Sequence, residues 1–120
     1  NITNEESTKM GYNHYYIDYM LGNSYMMSAN SNNSQKEHLL KKSILNYQNA
    51  IKKKQDLFPA WVNLANSLYT LESMDNAGEA FIMAYETASK EGKSPEYLYY
   101  AAICYSQSNE RYWREQQCNY

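Results

Sequence analysis

Between Gln35 and Lys54 the apolar side chains Leu39, Leu40, Ile44, Tyr47 and Ile51 fall at steps of three, four and one, which gathers them on one face of a helix. Comparable spacing predicts a helix over about Asn4 to Met27, broken near Gly11, and another over about Ala60 to Glu72. A fourth is expected from an Asp75 N-cap, with Glu79 in its early turns, to a glycine stop at Gly92. Ser94-Pro95-Glu96 then opens a fifth, with a serine cap and a proline in the first turn. A last helix is expected from about Glu110 to Tyr120. Between the second and third helices, Asp56-Leu57-Phe58-Pro59 marks an exit, because the residue before proline is pushed out of helical conformation. No segment alternates with period two for long enough to make a strand, so the fold class is all-α.

The pattern also repeats. Ser43, Tyr47 and Ala50 return thirty-four residues later as Ala77, Phe81 and Ala84, and the later copy is preceded by Trp61-x-x-Leu64-Ala65-x-x-Leu68. Weaker copies flank it: Leu21-Gly22-x-x-Tyr25 upstream, with Asp18 where the tryptophan would fall, and Tyr97-x-x-Tyr100-Ala101-x-x-Cys104 downstream. This arrangement resembles the tetratricopeptide repeat, whose pattern is W-x2-L-G-x2-Y followed by A-x3-F and a further alanine. The resemblance implies an α-solenoid: antiparallel helix hairpins stacked into a right-handed superhelix of about three repeats. One domain over residues 1–120 is expected, with repeats at about 15–54, 58–91 and 94–120.

Two of the copies depart from the pattern. The first is about nine residues too long between its helices, and the polar run Ser28-Ala29-Asn30-Ser31-Asn32-Asn33-Ser34 places an inserted surface loop at 28–37. The third lacks small residues in its second helix, where Trp113 stands instead, so this half-repeat is divergent or truncated. The recurring small residues, Gly22, Ala65 and Ala101 in first helices and Ala50 and Ala84 in second helices, allow close backbone approach, and Tyr47, Phe81, Leu21 and Leu64 fill the space between.

Composition narrows the function. With a net charge of −2 and no basic stripe beyond Lys52-Lys53-Lys54, the chain lacks the footprint of a nucleic-acid binder. Those lysines, with Lys41-Lys42, read as a solvated helix face. No apolar run is long enough for membrane insertion. An N-terminus at Asn1 without Met and a low charge content favour an exported or periplasmic protein over a cytoplasmic one. Cys104 reads as a small core residue and Cys118 as a terminal thiol, although a bridge between two helices of a hairpin is conceivable; their spacing and the absence of nearby partners argue against zinc. No cofactor or metal is expected.

The resemblance also implies a concave groove lined by the first helix of each pair. Carried over by position, its lining is Tyr19, Asn23 and Met27 with Met20 and Met26 from the first copy, Asn63, Asn66 and Tyr69 with Val62 from the second, and Tyr99 and Tyr105 with Leu98 and Ala102 from the third. An asparagine carries an acceptor and two donors, so Asn63 and Asn66 suit the backbone of a bound peptide, while Tyr and Met offer adaptable apolar contact. Relatives that hold the carboxylate of chaperone tails use cationic residues where this chain has Tyr19, Pro95 and Tyr99, so that ligand is not expected. The expected function is therefore a non-catalytic scaffold or adaptor whose partner is another protein or a peptide segment.

Catalysis finds little support. His14 and His38 are the only histidines, neither belongs to a triad or metal-spaced cluster, and His14 reads as a half-buried helical residue among tyrosines. The four scattered glycines form no phosphate loop. The other class is a structural subunit, a homo-oligomer that self-associates through the end near Trp113, where Glu110-Arg111-Tyr112-Trp113-Arg114 leaves aromatics uncovered.

Overall fold

The computed structural model describes residues 14–89, 91 and 93–118. Five α-helices follow one another: α1 (Tyr15–Ser31), α2 (Lys36–Lys53), α3 (Phe58–Thr70), α4 (Met74–Thr87) and α5 (Pro95–Cys118), with a 3-10 turn at Asn33–Gln35 between the first two. No strand occurs among the described residues. Each helix packs chiefly on the next in sequence, and a thinner contact joins α1 to α3. The molecule measures 58 × 39 × 25 Å, so its shortest dimension is about two helix diameters and most helices keep one side near solvent.

Helices α1 and α2 run antiparallel. Lys53 Nζ meets Asp18 at 2.7 Å, the Tyr47 ring lies on Gly22, and Ser43 Oγ donates to the Gly22 carbonyl at 2.8 Å. On α2 the buried positions Leu40, Ser43, Tyr47, Ala50 and Ile51 keep the three-and-four spacing of a single stripe. Pairing of α4 with α5 has the same sense: Phe81 faces Tyr100, Gly78 faces Tyr105, Asp75 accepts from Ser108, and Glu72 meets Arg111. The core runs through α2 to α5, from Tyr47 and Ala50 through Leu64 and Ala65 to Phe81, Ala101 and Cys104.

Local chemistry sets the helix ends. Pro59 sits in the first turn of α3, and Trp61 Nε1 donates to the Gln55 carbonyl at 2.9 Å, pinning the α2–α3 connection. At the other end of α3, Glu72 takes a left-handed φ of 62°, the Glu72 amide donates to Tyr69 and the Ser73 amide to Leu68, both at 2.9 Å. These paired bonds are those of a Schellman ending, here with glutamate where glycine is usual. Ser94 Oγ accepts from the Glu96 amide at 3.3 Å ahead of α5, as the Ser94-Pro95-Glu96 signature predicts.

Several boundaries differ from those expected. No loop projects at 28–37: α1 continues to Ser31 and the chain re-enters helix at Lys36. Ala29, fully buried two turns after Gly22, prolongs the packed seam, and Ser31 Oγ bonds back to the Met27 carbonyl within the helix. The third copy does not divide into two helices, because α5 is continuous over 24 residues. The residues around the expected division near Glu110 are used laterally, Ser108 donating to Asp75 and Arg111 reaching Glu72. Helix α4 starts at Met74 with Ser73 preceding it and Asp75 inside the first turn, and it ends at Thr87. The predicted stop at Gly92, the helical start near Asn4 and the break near Gly11 lie outside the described residues.

Candidate functional site

Asn23 gathers three helices. Its Oδ1 accepts from Tyr47 Oη at 2.5 Å and from Asn63 Nδ2 at 3.0 Å, joining α1, α2 and α3 at one half-buried atom. Met26 Sδ lies 3.5 Å from the same hydroxyl. Burial pushes the Tyr47 phenol above its ordinary pKa. Asn23 and Asn63, read from the sequence as groove donors and acceptors, thus hold the helices together.

Asn66, one turn further along α3, differs. Its side chain is exposed and makes no hydrogen bond among the described residues. It stands at the rim of a depression of about 330 Å³ lined by Asn66, Tyr69, Phe81, Tyr100 and Ile103. Phe81 from α4 forms the floor, almost fully buried, and its ring meets that of Tyr100 at 5.4 Å. Tyr69 and Tyr100 are each 40% exposed, and the Tyr100 ring packs on Phe81. The depression thus combines an apolar floor, two aromatic walls with hydroxyls and one amide at the rim.

The remaining expected groove residues do not join this depression. Tyr19 stacks between Tyr16 at 5.8 Å and Tyr47 at 6.1 Å in the α1–α2 packing. Met27 is exposed near the C-terminal end of α1, and Tyr99 is exposed beside Tyr100. Tyr105 lies against Gly78; burial pushes its phenol up, and the carboxylates of Glu79 and Asp75 add to the shift. Leu98 and Ala102 are exposed on α5, rotated roughly 100° or more around the helix from Tyr100 and Ile103. Phe81, Tyr100 and Ile103 are not among the expected groove positions, since repeat spacing assigns Phe81 and Tyr100 to packing. Ile103, three residues after Tyr100 on the same side of α5, is the signal that one face of that helix continues into the site.

The titratable groups are dispersed. His14 is exposed, not half-buried: it precedes α1, and its Nδ1 accepts from the Tyr16 amide at 3.1 Å as an N-cap. His38 lies exposed on α2. Among the described residues no three His, Cys, Asp or Glu side chains are grouped to hold a metal ion. Both cysteines are free; Cys104 is buried and Cys118 exposed. They share one continuous helix at fourteen residues' separation, about 21 Å, so the bridge conceivable between two helices cannot form. Two of the clustered lysines also have local roles, Lys53 on Asp18 and Lys54 between Asp56 at 3.2 Å and the Tyr15 ring at 5.3 Å. No helix among the described residues is long and apolar enough to cross a membrane.

Comparison of the chain with protein-family models, with curated proteins and with solved structures gives no match.

Proposed function

We propose that this chain is a non-catalytic protein-interaction module of the tetratricopeptide type, and that it binds an extended or helical partner segment by an apolar anchor seated between α3, α4 and α5. Equivalent positions of the two helix pairs carry equivalent duties. Tyr47 and Phe81 are both buried in second helices, and Ala50 and Ala84 are both fully buried one turn later. Gly22 provides the small surface on which the Tyr47 ring rests, and Ala65 is a fully buried small residue at the equivalent position of α3.

The observation that carries the binding role is the depression at Asn66, Tyr69, Phe81, Tyr100 and Ile103, whose rim amide makes no hydrogen bond among the described residues. Its lining is chiefly aromatic and apolar, which suits an apolar side chain presented by a partner. An incoming apolar group would gain about 1.5–3 kcal/mol from burial there, the scale of a single anchor.

A random-peptide display selection against the whole chain tests this, with an Asn66→Ala, Tyr69→Ala double variant as counter-selection. Enriched peptides should share one large apolar residue and should lose binding to the variant while the variant keeps its cooperative melting. Enrichment of peptides that bind both proteins equally would move the site elsewhere, and no enrichment at all would remove the peptide-binding role.

A further inference from the structure

Helix α5 has two lengthwise seams. Ala101, Cys104, Ser108 and Arg111 face inward, the first two buried and the others joined to Asp75 and Glu72. One residue onward, and so rotated roughly 100° about the axis, Leu98, Ala102, Tyr105, Asn109, Tyr112 and Gln116 follow one another at steps of four and three. This is the spacing of a coiled-coil a/d seam, held for about 27 Å of helix. Leu98, Ala102, Asn109 and Tyr112 are exposed, Tyr105 is 39% exposed with its ring resting partly on Gly78 of α4, and no later helix among the described residues covers this side of α5.

From this seam we propose that a second copy of the chain packs antiparallel on α5, giving a closed two-fold dimer. Large residues (Leu98, Tyr105, Tyr112) alternate with small or polar ones (Ala102, Asn109, Gln116). A parallel copy would set tyrosine on tyrosine and alanine on alanine, crowding one layer and leaving a void in the next. An antiparallel copy centred on Gln107 sets Tyr105 against Asn109 of the second copy, Ala102 against Tyr112 and Leu98 against Gln116, so each large side chain meets a small or polar one. The same register brings Trp113 of each copy alongside Tyr99 of the other, and these two rings are 56% and 64% exposed in the single chain. Self-complementarity of this kind is what an isologous interface requires.

The area suffices. Leu98, Tyr99, Tyr105, Tyr112 and Trp113 are each roughly half exposed, and covering them removes about 500 Å² per copy, or about 1,000 Å² in all, the lower bound for a specific interface. A dimer of moderate, concentration-dependent stability is therefore expected, with the depression at Asn66 and Tyr69 left outside it.

Sedimentation equilibrium of the whole chain across a wide concentration range should show reversible passage from monomer to dimer. Trp113→Glu should weaken association roughly thirtyfold or more, because it replaces a large aromatic contact with Tyr99 of the other copy, made twice in the dimer, by a charge. Ala102→Tyr should abolish the dimer by setting tyrosine against tyrosine, and the exchange Ala102→Tyr with Tyr112→Ala should restore it. All three positions are exposed, and an unchanged melting temperature in dilute solution would show each variant folded. A constant monomer mass, which is also what a different protein as the natural occupant would give, overturns the proposal. So does a dimer indifferent to Ala102→Tyr, a mass above that of a dimer, or failure of the exchange to restore what the single change removed.

Discussion

Tyr47 lies so close to Gly22 that a Cβ on that glycine would come within 2.6 Å of the ring. Tyr47 is fully buried and tethered through its hydroxyl to Asn23, so it has nowhere to retreat. Gly22→Ala gains about 1 kcal/mol of helix propensity but overpacks this contact by about 1–3 kcal/mol, and a net loss is expected. Gly78 offers the contrast: a methyl there would meet Tyr105 ring atoms at 2.9 Å, but that ring is 39% exposed and able to swing outward. Gly78→Ala should therefore be close to neutral, and urea denaturation of the two variants side by side measures the difference.

The buried phenol of Tyr47 predicts a pH dependence. Burial raises its pKa above 10, so the neutral form is favoured in the folded chain. Its contribution is complete below about pH 10 and is lost as pH climbs through the folded value, because the unfolded tyrosine ionises first. Tyr47→Phe removes that titration together with the bond to Asn23, costing about 0.5–1.5 kcal/mol at neutral pH. The gap in stability between parent and variant should narrow above pH 10 in urea titrations, and a gap independent of pH would refute the assignment.

Ser67 is fully buried on α3, and its Oγ has no hydrogen-bond partner among the described residues. A hydroxyl withdrawn from water without compensation is destabilising. Ser67→Ala should raise stability by about 1 kcal/mol or more, read as a higher urea midpoint with unchanged slope.

The end of α3 predicts a second stabilising change. Glu72 holds its left-handed φ of 62° against a steric cost of about 1–2 kcal/mol for a side-chain-bearing residue. Its ion pair with Arg111, at 3.8 Å between exposed groups, offsets little of that. Glu72→Gly should gain about 0.5–1 kcal/mol, whereas Glu72→Ala, which keeps the Cβ, should gain nothing; calorimetric melting of the pair separates backbone strain from loss of charge.

The helices are legible in the sequence where spacing and punctuation agree. Leu40, Tyr47 and Ile51 mark the packed face of α2, and Pro59 and Pro95 stand in first helical turns. The polar stretches depart from expectation for one physical reason: a hydroxyl or amide able to start a turn is equally able to bond within a helix or to its neighbour. Ser31 does the first and Ser108 the second, so both segments remain helical. The candidate site is half legible. Asn66 and Tyr69 follow from repeat position, but Asn23 and Asn63 satisfy each other across forty residues of sequence, a pairing that local spacing cannot reveal. Phe81 and Tyr100 serve as core and as site surface at once, a double duty that only their joint placement exposes.

Because nearly every substantial helix contact joins neighbours in sequence, the chain closes only short loops as it acquires its structure. Such a chain pairs few elements that are not adjacent in sequence, and its assembly should be fast. It also gives up its structure unevenly: the last turns of α5, beyond Arg111, are held by little outside their own backbone, while α3 has partners on either side.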